Sequence, residues 1–200
     1  AGADEYLVFR PTSETPPLLY YYDGSDPGNI FAPIEVRQYQ SNDIFADEPL
    51  PDNAFGGAVA LLGNRAILGA TGVSVGRGAV YVYDRDANGT LVQSVHLTPT
   101  DLNSSSLFGG SVALGNDFLI GGASRDLAEA GSVYVYNLEA NGSWMQGQKL
   151  HLTSPVTALD SFGQAVAVSG ETLVVTATQP GQLGNEGNGS AYVFRLTDGN

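Results

Sequence analysis

Three Phe-Gly pairs, Phe55-Gly56, Phe108-Gly109 and Phe162-Gly163, stand 53 and 54 residues apart, and each opens the same succession of apolar segments. A period this regular restricts the chain to tandem units of supersecondary structure that bury their apolar faces by stacking on one another. The first segment reads GAVALLGN from Gly57, GSVALGND from Gly110 and QAVAVSGE from Gln164. Tight turns centred near Gly63-Asn64, Gly115-Asn116 and Ser169-Gly170 lead into RAILGA, DFLIGGA and ETLVVTA. Short apolar runs between Gly and Asn turns read as strands, here strands A and B of a unit.

A third signature, Gly78-Ala79-Val80-Tyr81-Val82-Tyr83, recurs from Gly131 to Tyr136 and, with a closing Phe, from Gly189 to Phe194. This is strand C, and a strand D is predicted over Thr90 to Leu97 and Trp144 to Leu152. The distance from Phe to the Gly of strand C is 23 residues twice and 27 once, so the third copy carries four extra residues around Gly181 to Gly187. In strand C, Tyr81 and Tyr83 face one side and Val80 and Val82 the other. Both faces therefore need burial. Small four-stranded sheets apolar on both faces are expected where sheets stack around an axis, as in a β-propeller. A β-sandwich, the alternative, leaves one face of each strand polar.

The Phe-Gly pair, the following Ala/Ser-Val-Ala, the Gly-Ala of strand B (Gly69-Ala70, Gly122-Ala123) and the closing Gly-Ala/Ser-Val-Tyr-Val-Tyr resemble the FG-GAP repeat, the blade unit of the integrin α-subunit type of propeller. The resemblance covers roughly Asp52 to Arg195. It implies an all-β propeller of four-stranded blades: 52–104, 105–158, and 159–200 lacking its last strand. Residues 1–51 form a degenerate N-terminal blade or an arm. Three departures stand out. Thr71 and Ser124 replace a Pro after Gly-Ala, Thr176-Ala177 replaces Gly-Ala in the third copy, and the Asp-rich calcium loop between strands A and B is reduced to a short Gly turn. In the N-terminal stretch, Glu5 to Phe9 resembles strand B, Leu18 to Asp23 (LLYYYD) strand C, and Ile34 to Gln40 would be strand D. On that alignment the array is cut within a blade at both ends. Two explanations follow: an excerpt of a longer propeller, or a subunit whose neighbours complete its blades.

Composition narrows the function. Twenty-one acidic against eight basic residues give a formal net charge of −13, which repels phosphate backbones and anionic lipid and excludes nucleic acid as a partner. Seven of the eight basic residues are Arg, and Lys149 is the only Lys. The 42% hydrophobic share describes an ordered chain. With no Cys, disulfides and thiolate chemistry are excluded. No apolar run reaches the length of a membrane span, so membrane insertion is not expected. The opening AGADEY lacks the parts of a signal peptide, as a processed chain also would.

Few residues offer chemistry. Asp84, Asp86 and Asn88, with Gly89, match the start of a calcium loop, but Val92 and His96 stand where the later ligands belong. Asn-Gly at that place also makes a hairpin turn between strands C and D. Calcium is thus the one cofactor the sequence suggests. Asn88, Asn103, Asn141 and Asn188 open glycosylation sequons, which take effect only in a source that glycosylates. His96 and His151 fall in matching segments (His-Leu-Thr), which points to a structural role rather than a lone base. Trp144 and the Tyr pairs suit either blade core or a sugar-stacking platform. No nucleophile–base constellation or phosphate loop is found, and the chain reads as no enzyme.

The expected function is an extracellular or cell-surface module for adhesion, ligand binding or structural assembly, with a protein or glycan ligand. Recognition is expected on the B–C loops, Val73 to Arg77, Arg125 to Ala130 and Gln179 to Gly187, whose lengths and sequences differ. A glycosylated structural subunit of an extracellular filament, joined to copies of itself through open strand edges, is the second reading. An accessory domain of a secreted glycan-active protein is the third.

Overall fold

The computed structural model describes residues 18–23, 26–35, 43–46, 52–152, 160–178 and 189–196. The chain divides into two units, Ala1–Asp43 and Ile44–Asn200. In the first, β1 (Leu18–Asp23) pairs antiparallel with β2 (Asp26–Glu35). LLYYYD is therefore a strand, but its neighbour begins at Asp26 and not at Ile34. Asp23 pairs with Asp26, so the return strand starts three residues on. The strand expected at Glu5 to Phe9, and residues 36–40, lie outside the described residues.

The second unit holds three antiparallel sheets, each a meander with strands in chain order. The first comprises β3 (Phe55–Leu62), β4 (Arg65–Ala70), β5 (Ala79–Arg85) and β6 (Leu91–Leu97). The second comprises β7 (Phe108–Leu114), β8 (Phe118–Ala123), β9 (Ser132–Leu138) and β10 (Trp144–Leu150). In the third, β11 (Val166–Ser169), β12 (Thr172–Ala177) and β13 (Ser190–Arg195) are the strands among the described residues. One-turn helices, α1 (Val73–Gly76) and α2 (Asp126–Glu129), carry the chain from B to C in the first two sheets.

Period-two alternation gives each sheet two different apolar faces. One bears the Phe of the Phe-Gly pair set edge-on to a strand-C ring: Phe55 to Tyr81 at 5.3 Å, Phe108 to Tyr134 at 5.6 Å and Phe162 to Tyr192 at 5.6 Å between centroids. The other bears the aliphatic residues of strands B and C. The sheets stack aromatic face onto aliphatic face. Ile67, Val80 and Val82 of the first meet Phe108, Val112, Leu114 and Tyr134 of the second. Ile120, Val133 and Val135 of the second meet Phe162, Leu173 and Val175 of the third. At about 1.5–3 kcal/mol for each large apolar side chain removed from water, these two layers supply most of the favourable burial.

The Gly of the second and third Phe-Gly pairs works with a Gly of the preceding sheet. Gly109 and Gly163 have φ of +84° and +89°, a left-handed conformation that L side chains disfavour, and Gly109 lies in a bulge between Phe108 and Ser111. A Cβ on Gly69 would land on the Gly109 carbonyl oxygen, and one on Gly122 on that of Gly163. The backbones can then join across the stack. Phe108 N–H donates to Arg77 O and Phe162 N–H to Ala130 O, each at 2.9 Å, beside the parallel bridges Gly78–Phe108 and Gly131–Phe162.

The stack is open rather than closed. On the aromatic face of the first sheet, Ile44 and Ala46 cover part of the surface and the Tyr83 hydroxyl donates to Phe45 O at 2.7 Å. Val59 and Leu61 on that face remain 67% and 64% exposed, while their counterparts Val112 and Leu114 are buried against the first sheet. On the aliphatic face of the third sheet Val193 is 71% exposed, where Val82 and Val135 are buried.

The same repeat position therefore carries different weight in different sheets. Leu114→Ala is expected to cost about 2–3 kcal/mol in urea unfolding, and Leu61→Ala less than about 0.5 kcal/mol. Equal losses would contradict this burial asymmetry.

Candidate functional site

The C–D hairpins use their carboxylates and amides to make turns. Asp84 Oδ1 accepts from Arg65 Nε at 2.7 Å, and Asp86 Oδ1 accepts from the N–H groups of Asn88 and Thr90 at 2.9 and 2.8 Å. A cation at Asp84, Asp86 and Asn88 would compete with these bonds. Among the described residues, no three His, Cys, Asp or Glu side chains gather as metal ligands. In the second hairpin, Asn141 Oδ1 accepts from both the N–H and the hydroxyl of Ser143, at 2.9 and 2.7 Å. Asn88 and Asn141 stand exposed at the hairpin tips. Asn103 is exposed in the loop between the first two sheets, where its carbonyl accepts from Ser106 Oγ. Asn188 lies outside the described residues.

The B–C turns share an unusual backbone. Ser74 and Val75 in α1, and Leu127 and Ala128 in α2, are consecutive non-Gly residues with φ between +52° and +60°. Such residues are held only where their surroundings dictate the conformation, and a β-branched Val is the least suited of all. The surroundings of α1 are the next sheet's entry loop: Ser105 N–H donates to Val75 O at 3.2 Å and Leu107 N–H to Gly76 O at 2.9 Å. The side chains of Val75 and Leu127 are left 83% and 42% exposed. Expected as variable loops, these two connections are thus bolted turns with an apolar tip. The third, Gln179 to Gly187, lies outside the described residues.

A buried charge cluster went unnoticed in the sequence. Lys149 Nζ lies 2.8 Å from Asp101 Oδ2 and 2.8 Å from the fully buried Asp126 Oδ2, and sits 4.9 Å from the centre of the Tyr134 ring. The Tyr134 hydroxyl donates to Asp126 Oδ2 at 3.0 Å. Asp101 belongs to the loop between the first two sheets, so Lys149 ties that loop to the second B–C turn. Strand pairing also corrects the match of His96 with His151. His96 pairs with Tyr81, and its counterpart across from Tyr134 is Lys149. The 53-residue offset that relates Tyr81 to Tyr134 also relates His96 to Lys149, each D strand carrying a bulge, and His151 lies two residues further on, beyond β10. His96 lies tilted against the Tyr81 ring at 5.6 Å between centroids, so His96 and Lys149 cover equivalent rings in the two sheets. The signal in the sequence is that the chain's only Lys falls opposite Tyr134 while an Asp replaces Val73. Trp144, considered as a sugar platform, packs on the first interface with Arg65 5.1 Å from its ring centre.

A cleft of about 740 Å³ opens beside the A–B turns of the second and third sheets, lined in part by Asn116, Asp117, Asn137, Ser169 and Glu171. Leu62, Leu114, Phe118 and Leu196 also line it, so its walls are mixed apolar and polar, and the carboxylates of Asp117 and Glu171 disfavour an anion.

Burial raises the Asp126 and Asp101 carboxyls, but the hydrogen bonds they receive, from Lys149 first, outweigh it and hold both below the usual carboxylate range. Burial lowers Lys149, and its bonds to Asp101, Asp126 and Tyr134 more than reverse this, so its pKa is raised. Depressed carboxyls add stability above their unfolded pKa, near 4, that is lost as pH falls through the folded values. The raised Lys adds stability below its unfolded pKa, near 10, that is lost as pH rises through the folded one. Lys149→Met strands the Asp126 charge in the interior and is expected to cost about 3 kcal/mol at pH 7. The variant should recover part of that loss as pH is lowered, because burial without Lys149 favours the protonated Asp126 carboxyl, while the native protein loses stability. Parallel pH profiles in chemical denaturation would contradict the coupling.

A family model for the FG-GAP repeat matches residues 91–136 and 144–194. Each match begins in strand D of one sheet and runs through strands A, B and C of the next, so the family's repeat straddles the boundary where sheets meet. No curated protein matches the chain. FG-GAP repeats are typical of extracellular proteins, and among the described residues no helix is long and apolar enough to cross a membrane. The Phe-Gly anchors, the meander sheets and these matches agree: residues 91–136 and 144–194 are FG-GAP repeats.

Proposed function

We propose that the chain is a non-catalytic, extracellular or cell-surface binding module that recognises a protein or neutral glycan through its B–C rim. The observation that carries this reading is the left-handed pair repeated in α1 and α2. Strain of about 1–3 kcal/mol per residue is retained at both turns to hold Val75 and Leu127 outward, where they add nothing to the core. Bolting α1 to the next sheet holds its apolar tip at a fixed place, which lowers the ordering cost of binding. The acidic net charge turns the surface away from anionic polymers and suits neutral or basic partners. Exposed Asn88 and Asn141 would carry glycans without obstructing this rim, since they lie on C–D hairpins and not on B–C turns.

A filament subunit joined through strand edges is the second reading. It is favoured by β13, whose outer edge has no paired strand among the described residues.

The binding reading is tested with protein-coated beads on a panel of neutral glycans and extracellular-matrix proteins, using Val75→Asp combined with Leu127→Asp. Asp accepts a left-handed backbone better than Val or Leu, so thermal stability should hold or rise. Binding to any surface retained by the native protein is expected to fall at least about tenfold, the loss of one buried apolar anchor. Undiminished binding would sink the assignment to this rim.

A further inference from the structure

The third sheet departs from the other two at one place on the face that looks away from its neighbour. Strand pairs Ala70–Ala79, Ala123–Ser132 and Ala177–Ser190 are equivalent, and the next pair is Gly69–Val80 in the first sheet, Gly122–Val133 in the second and Thr176–Ala191 in the third. Gly69 and Gly122 are the positions on which the following Phe-Gly backbone rests, with no room for a Cβ. We infer that Thr176 ends the stacking register: a further Phe-Gly blade, from any chain, cannot seat on the third sheet as the second and third seat on their predecessors.

Two changes, at Thr176 and Ala191, act together. The Cβ of Thr176 occupies the space taken by the carbonyl of Gly109 or Gly163 in the two existing interfaces, and the obstacle there is backbone, which cannot rotate away. In the second sheet Ser111 Oγ donates to Gly163 O at 2.7 Å and fixes the incoming backbone. Ala165, like Ala58 of the first sheet, has no such hydroxyl, and Thr176 Oγ1 accepts from Ala165 N–H at 3.0 Å, within its own sheet. Finally Ala191 replaces Val80 and Val133, so bulk is moved from the side chain that a neighbour would bury to the point where its backbone would arrive. The result is a sheet that keeps its own strands paired while its outer face is shaped against a following Phe-Gly backbone. This inference stands independently of the binding reading above. It directs any contact between this face and another molecule away from blade-on-blade stacking.

The test extends the full chain after Asn200 with residues 143–158 followed by a copy of residues 105–152, which offers the third sheet a fourth strand and then a complete further blade. Hydrogen exchange is read at the amides of the added copy of β9, with Thr176 in place and with Thr176→Gly combined with Ala191→Val. The native residues should leave the added blade exchanging freely, and the double variant should slow it about a hundredfold or more, as for a packed cooperative unit. Protection in both backgrounds, or in neither, overturns the inference. The reverse change, Gly122→Thr in the unextended protein, should accelerate exchange at Phe162 N–H while β8 and β9 stay protected. Unaltered exchange at Phe162 would also overturn it.

Discussion

The structure of the second unit depends on a contact between backbones. Where Gly109 lies on Gly69 and Gly163 on Gly122, two sheets approach closely enough for Phe108 and Phe162 to enter the preceding layer and for their N–H groups to reach its carbonyls. One methyl group at any of these glycines would hold the sheets apart, and the aromatic and aliphatic faces would lose the close packing that dispersion and dehydration both require. The Phe-Gly pair is thus a joint: Phe supplies buried area, and Gly supplies a left-handed bulge and the absence of a side chain.

Because the joints are fixed, the chain is free to vary what lies around them, and the variation is where individuality appears. The ring of the first strand-C Tyr is covered in both complete sheets, by His96 in one and Lys149 in the other. Only in the second does an Asp stand in the B–C turn, turning a ring contact into a buried ion pair that also holds Asp101 of the preceding loop. The same logic runs through the third sheet, where Thr176 occupies a joint position and alters what that face can accept.

Much of this architecture was legible in the sequence because its causes are local and repeated. The A, B and C strands follow from period-two alternation between Gly turns, and their observed bounds in the first two sheets agree with the repeated segments. The need to bury both faces of strand C predicted stacked sheets before any contact was known. What escaped was set by register and by three-dimensional neighbours. His96 and His151 share the His-Leu-Thr segment but stand 55 residues apart, and the 53-residue offset that relates Tyr81 to Tyr134 makes Lys149 the counterpart of His96. Asp126 looked like part of a variable loop because nothing local reveals that it is buried under Lys149. The left-handed backbone at Val75 runs against the residue's own preference and is imposed by bonds from Ser105 and Leu107, some thirty positions on. Asp84, Asp86 and Asn88 illustrate the reverse case: their spacing suits a cation, and the same spacing serves Arg65 and a tight turn.

The central claim is that sheets are joined through their backbones at the Phe-Gly pairs, and hydrogen exchange at the Phe108 and Phe162 amides tests it most directly. If the joints are part of the cooperative core, both amides exchange only with global unfolding, at the same free energy as the central strands β4, β5, β8 and β9. Exchange of Phe108 and Phe162 by local opening, while those strands remain protected, would show that the sheets are joined by side chains alone and would contradict the account.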